Sequence, residues 1–328
     1  MKLIHPIPIL FSIFILALSS CALHKPSQIN STAFDELENA ILVQNPNSDF
    51  PLPEVPEHIT DAQTRAIYLS EHYWNEFSFN DTSLISKSEI TEQGFVDYIH
   101  ILNYLPFNHA SRSVRIMLFK ARVNPTMLAH FGSLFQKYYY DANSPFRNEE
   151  LYMPVLESLL SSRLLSKADH EKYDFQEEMI HKNRVGTKAA DFVYTLADVT
   201  QERMHAYKSD YLILFFISPG CEVCDKIMHD IENSDVLKKV FSRNSFNRNM
   251  LKVLTIYPGD NLKGWIESLS EMPQKNWTHA YDNDMTITNK RVYDIKTIPT
   301  MYLLNRNKKI LLKDASVEEI ETYFMKND

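Results

Sequence analysis

Apolar side chains recur at every third or fourth position from Ala66 to Leu160, then collect into short unbroken runs after Gly186. The first pattern has the 3.6-residue period of helices with one buried face. Thr60-Asp61-Ala62-Gln63 reads as a capping box, with Gln63 placed to reach back toward the Thr60 amide. Ala66, Leu69, Tyr73 and Phe77 follow at helical spacing. Phe95, Ile99 and Leu102 form a second stripe, and Val114, Met117, Leu118 and Ala121 a third. Asn124-Pro125 opens a fourth helix, since proline is tolerated in a first turn. Leu128, Phe131, Phe135 and Tyr138 lie along its face. Tyr152, Val155, Leu156, Leu159 and Leu160 mark a fifth helix, and a charge-rich sixth spans about 168–182. The repetition predicts an all-α domain over 58–184.

From Gly186 the pattern changes. Ala190–Tyr194 is a short strand candidate, and Tyr211–Ile217 is a continuous apolar run, as expected of a strand buried on both faces. Further strands are expected at Leu251–Tyr257, Thr300–Leu304 and Lys309–Leu312, with Asn305-Arg306-Asn307 turning between the last two. Ser316-Val317-Glu318-Glu319 reads as a second capping box, opening a final helix. Strands alternating with helical segments predict an α/β domain over 186–328, a central mixed sheet flanked by helices.

The first 57 residues fit neither pattern. After Met1-Lys2 the chain is almost wholly apolar to Ser20, but the unbroken run after Pro8 is about a dozen residues, short of the roughly 20 that span a bilayer. Residues 1–20 are read as a signal peptide. Leu18-Ser19-Ser20-Cys21 resembles the bacterial lipobox, which implies diacylation of Cys21 and a membrane anchor through its lipid chains. The proline-punctuated stretch over 21–57 is expected to be a flexible tether. The expected location is the bacterial cell envelope, lipid-anchored on the periplasmic side of the outer membrane.

Charge separates the two halves. Residues 22–184 carry 14 basic and 22 acidic side chains, and residues 185–328 carry 19 and 20. A net charge of −8 gives no basic footprint for nucleic acid. The helical half offers little chemistry. His72-Tyr73-Trp74 with Phe77 and Phe79 is read as core rather than a peptide groove. Tyr138-Tyr139-Tyr140 is read as a helix end with one buried and two amphipathic rings. Arg112, Arg115, Lys120 and Arg122 are read as the solvated face of the third helix. No His, Asp or Glu set has metal-ligand spacing.

Chemistry concentrates in Cys221-Glu222-Val223-Cys224, which follows the buried strand and the Ser218-Pro219-Gly220 turn. Three readings compete. A structural bridge across two intervening residues stabilises by only about 2 kcal/mol on chain-entropy arithmetic. A zinc site needs four ligands, and His229 is the only further candidate nearby. A redox pair suits the placement: Cys221 would sit at a helix N-terminus, where amides and dipole favour thiolate. Cys224, one turn on, could then attack a mixed disulfide formed by Cys221.

Strand, turn, Cys-x-x-Cys and helix, followed some 75 residues later by Thr297-Ile298-Pro299-Thr300 and a strand, resemble the thioredoxin superfamily. The similarity is to its membrane-tethered TlpA/ResA-type thiol–disulfide oxidoreductases, and it covers about 186–328. It implies Cys221 as attacking nucleophile, Cys224 as resolving thiol and Pro299 as the cis proline beside them. The loop of Ile298 would pair with a substrate segment. No cofactor is implied beyond a redox-active Cys221–Cys224 disulfide. The first domain resembles the uncharacterised helical domain that precedes thioredoxin-like modules in some bacterial lipoproteins. Two positions depart from the pattern: Gly220 replaces the Trp before the first cysteine, and Phe215 replaces a buried Asp that assists the resolving thiol. Glu222, Asp225 and Ile298 are the possible modulators, Glu222 opposing thiolate formation and Asp225 serving as proton acceptor or as a solvated helix residue.

The resemblance implies an envelope thiol–disulfide reductase acting on cysteine-containing envelope proteins, with electrons from an inner-membrane donor. The alternatives are a copper metallochaperone on the same fold, since thiolates suit Cu(I), and a redox-silent binding or scaffolding lipoprotein.

Overall fold

The computed structural model describes residues 50–327. The signal peptide, Cys21 and most of the expected tether lie outside the described residues. The tether's last residues are not free: Phe50 is buried and stacks on Tyr73 at 4.9 Å, and Leu52 and Val55 pack on the same core.

Among the described residues six α-helices build the first unit: α1 (Ala62–His72), α2 (Ser88–Leu102), α3 (Phe107–Ala121), α4 (Pro125–Phe135), α5 (Glu149–Leu160) and α6 (Lys167–Ile180). The N-cap of α1 is Asp61, whose carboxylate accepts from the Thr64 amide at 2.8 Å, so the expected Thr60–Gln63 box is displaced by one residue. Asp and Thr both cap well, and the ionised oxygen gains from the helix dipole as well. Asn124 caps α4 as expected, with Pro125 in its first turn. The chain then winds into one π-helical turn over Gln136–Tyr140, which buries Tyr139 and Tyr140 and leaves Tyr138 half-buried. Two rings are thus buried rather than one, because the wider turn rotates Tyr140 inward against Tyr152 at 5.3 Å. Trp74 meets Phe77 and Phe131 edge-on at 5.2 and 5.0 Å, geometry favoured by the ring quadrupoles. These rings are core, as their spacing suggests. Along α3 Arg112 pairs with Glu71 and Arg115 with Glu157 at the surface, and the half-buried C-cap Arg122 donates to the Ser158 carbonyl.

The second unit is a seven-stranded sheet in the order β2-β1-β5-β4-β3-β6-β7. Its strands are β1 (Val193–Leu196), β2 (Gln201–Arg203), β3 (Tyr211–Phe216), β4 (Leu251–Tyr257), β5 (Trp277–Tyr281), β6 (Thr300–Asn305) and β7 (Ile310–Lys313). β3, β4 and β5 are parallel, β6 runs antiparallel beside β3, and β7 pairs antiparallel with β6 at the edge. On one face α7 (Glu222–Asn233), α8 (Asp235–Phe241) and α11 (Val317–Asn327) cover Ile213, Phe215, Val253, Met301 and Leu303. On the other, Phe192, Met204 and Tyr293 cover Leu212, Leu214, Leu254 and Tyr302. Two short helices, α9 (Leu262–Ser268) and α10 (Thr286–Asn289), connect the strands. The capping box of α11 forms as read, with Ser316 N to Glu319 Oε2 at 2.8 Å and Glu319 N to Ser316 Oγ at 3.1 Å.

β1 starts three residues later than expected, and β2 and β5 were not anticipated. β2 is wholly exposed and reads Gln-Glu-Arg, and β5 carries a half-buried Thr-His pair. Neither is apolar enough to signal a strand; neighbours recruit them.

Asp97, on α2, accepts only from Gln93 at 3.0 Å, and burial pushes its carboxyl up to about 6. Ionised Asp97 therefore costs stability at neutral pH, and acidification through 6 toward the ordinary 3.8 recovers it. Asp97→Asn is expected to raise stability at pH 7.5 by about 1–2 kcal/mol. In urea unfolding followed by circular dichroism, the difference from wild type should shrink between pH 7 and pH 4; an unchanged difference refutes it.

Candidate active site

β3 lies inside the sheet between β4 and β6, and its pairing with β6 assembles the site. In register, Leu214 faces Tyr302 and Phe216 faces Thr300. The chain leaving β3 through Ile217-Ser218-Pro219-Gly220 is therefore brought beside the chain entering β6 through Thr297-Ile298-Pro299. The Cys221 amide donates to the Ser218 carbonyl at 3.3 Å, closing the turn. Gly220 has φ 71°, a left-handed conformation that side chains with a Cβ rarely adopt, which accounts for glycine here.

Cys221 is the N-cap of α7, and its Sγ accepts from the Cys224 amide at 3.1 Å. The two cysteines are joined in a disulfide with Cα atoms 5.2 Å apart. Cys221 is half-buried, whereas Cys224 is 1% exposed and packs with Phe215, Ile217 and Met228. Glu222, Val223 and Asp225 are exposed on the first turn of α7. Across from them the Ile298–Pro299 peptide bond is cis, Ile298 is 36% exposed, and the Thr297 carbonyl accepts from Thr300 Oγ1 at 2.5 Å. Cys221, Cys224, Ile298 and Pro299 thus share one end of the sheet, and Glu222 and Asp225 border it without side-chain bonds to either sulfur.

A strand–turn–Cys-x-x-Cys–helix facing a cis-proline loop at the ends of adjacent central strands is a recognisable arrangement. Residues 209–310 match the family described as thioredoxin-like, and residues 22–183 match a domain of unknown function, DUF5106. The crystal structure of a thioredoxin-like protein from Bacteroides caccae is 39% identical, covers 86% of this chain and 99% of its own, and superposes with a TM-score of 0.78. The chain belongs to the thioredoxin-like family. The C-terminal domain of an uncharacterised protein from Bacteroides fragilis is 37% identical over 44% of this chain and 98% of its own, with a TM-score of 0.41. No curated protein matches.

In this thioredoxin-like protein Phe215 lies wholly buried among the apolar residues around Cys224. The neighbouring positions on β4 and β5 are polar: Thr255 Oγ1 and His279 Nδ1 are 2.7 Å apart, and His279 Nε2 meets the Pro273 carbonyl at 2.7 Å. Desolvation lowers the His279 pKa, which favours the neutral ring. Register pairs Thr255 with both Phe215 and His279, which puts this pair on the sheet face of Cys224. Sequence reasoning missed it because the strand holding His279 was itself illegible. It also missed Lys296, three residues before Pro299, whose side chain is 9% exposed and ion-paired.

The unequal exposure of the thiols has a direct consequence. In the reduced protein at pH 7, Cys221 should be alkylated by iodoacetamide at least about tenfold faster than Cys224. Peptide mass spectrometry at timed quenches measures this, and equal rates would contradict the arrangement.

Proposed function

We propose that this protein is an envelope thiol–disulfide oxidoreductase, working as a reductase on disulfide-bearing envelope proteins. The observation that carries the reading is the asymmetry of the dithiol: Cys221 is accessible at a helix N-terminus, and Cys224 is protected one turn below it. Anionic sulfur at Cys221 gains from the dipole and free amides of α7. The exposed Val223 and Ile298 give the thiol an apolar border on which an extended client segment can lie.

In the reaction, Cys221 thiolate attacks one sulfur of the client disulfide, and the client's other sulfur leaves as thiolate. Cys224, deprotonated, then attacks Cys221 Sγ and expels the client's second thiolate. The client gains two electrons and two protons, and the protein is left with the Cys221–Cys224 disulfide. An inner-membrane dithiol donor returns the electrons by the same exchange run in reverse. Lipidation of Cys21 would tether the domain at the periplasmic side of the envelope, the compartment that its clients and the periplasmic face of the donor share.

Cys221→Ser is expected to abolish turnover of a protein disulfide, and Cys224→Ser to accumulate mixed disulfides that dithiothreitol releases. Non-reducing electrophoresis of envelope extracts reads both; robust dithiol-dependent reduction by the Cys221→Ser protein rules the scheme out. The potential of the couple in glutathione buffers gives direction: a value near −270 mV supports a reductase, and one near −120 mV an oxidant.

A further inference from the structure

The helical domain meets the thioredoxin-like domain along the segment that leads into the cis-proline. Beyond α6, Lys182 Nζ donates to the Arg291 carbonyl at 2.7 Å, and Asn183 Nδ2 to the Val292 carbonyl at 2.8 Å. Asn183 is buried, and its own Oδ1 accepts from the Ala190 amide at 2.8 Å. Further on, Lys296 Nζ reaches Glu149 Oε1 at 2.5 Å, with Asp294 and Asp314 carboxylates at 3.3 and 3.4 Å. Glu149 is the first residue of α5 and also takes Lys313 Nζ at 2.8 Å through its other oxygen. Arg147 completes the group: its guanidinium lies 3.9 Å from the Asp314 carboxylate and donates to the Asp314 carbonyl at 2.9 Å. The ring of Tyr140 lies under Lys296 Nζ at 4.2 Å.

Three cations face three anions here. The Lys296, Lys313, Asp294 and Asp314 side chains are all less than 10% exposed. Desolvating so many charges is costly, and only tight mutual pairing offsets it. A surface tether between domains has no need of such a cluster. The cluster is also placed where it controls something: Lys296 is joined to Pro299 through Thr297 and Ile298 alone.

We infer that Lys296 and Glu149 are positioning residues, through which the helical domain holds the cis-proline loop in the place that receives a client segment. This rests on the oxidoreductase reading for its consequence, but not for the fastening itself. Asn148 Oδ1 caps α5 from the Leu151 amide at 3.0 Å, and the dipole of α5 stabilises Glu149 as an anion at its first position. Helix and loop are thereby locked by one carboxylate bridging two lysines.

The test uses the full chain with Lys296→Met, Glu149→Gln and the double substitution, which leaves two cations facing two anions. Glu149→Gln keeps the shape of the side chain and so tests the same contact if Lys296→Met impairs folding, and circular dichroism checks each. Amide exchange in a peptide covering 293–298 is expected to accelerate about tenfold or more, as for loss of a closing constraint. With insulin as the protein disulfide, kcat/KM should fall about tenfold, carried by KM, because a displaced loop weakens productive placement. Reaction with the small disulfide of Ellman's reagent, which needs no loop pairing, should stay within about twofold of wild type. Unchanged exchange overturns the fastening, and faster exchange with an unchanged KM for insulin overturns the positioning role. A wild-type protein inert toward both disulfides overturns the oxidoreductase reading, and exchange alone then upholds or overturns the fastening.

Discussion

The antiparallel pairing of β3 with β6 is the constraint on which the site depends. Six residue pairs, from Tyr211–Asn305 to Phe216–Thr300, set where the two chain ends meet. A slip of one residue would turn every side chain of a strand to the opposite face. Both faces of β3 are buried in different cores, so the slip would drive Phe215 and Leu214 into each other's environments at large cost. The sheet thus delivers Cys221 and the Ile298–Pro299 peptide to one place as a by-product of apolar burial. The chemistry is held by a part of the molecule that takes no part in it.

Around that frame the two departures from the thioredoxin pattern have local physical reasons. Gly220 sits in a left-handed turn where a tryptophan would be strained. Phe215 fills the space beneath the buried thiol with an aromatic ring, which leaves polar character to the adjacent Thr255–His279 pair. The exposed Glu222 and Asp225 stand in water at the mouth of the site, where screening weakens their field.

The junction between the domains follows a different logic. The helical core is dense in aromatic rings and forms a cluster separate from the two that flank the sheet, so the units share no buried apolar core among the described residues. Contact is made instead by buried ions and by side chains that cap free carbonyls of the 291–296 segment. Such contacts are directional, and they specify an orientation that a greasy interface would leave loose. The desolvation penalty also makes them intolerant of partial pairing, since one missing partner strands a buried charge.

Much of this was legible along the chain. Period 3.6 marked the helices of the first unit, unbroken apolar runs marked β3 and β4, and two cysteines three apart after a buried strand marked the chemistry. These are local signals, carried by residues whose neighbours in sequence share their environment. β2 and β5 carried no such signal: Gln201-Glu202-Arg203 is a strand only because β1 offers it partners, and His279 is half-buried because β4 and the Pro273 carbonyl enclose it. The inward turn of Tyr140 against Tyr152 likewise depended on packing that a residue's own neighbours do not reveal. Above all, Glu149, Lys296 and Lys313 read individually as ordinary surface charges, separated by up to 164 positions. The sequence by itself determined two domains, their fold classes and the dithiol; only the tertiary structure decided that charges far apart in the chain would be desolvated together beside the cis-proline, because burial is a property of the assembled surfaces and not of any segment.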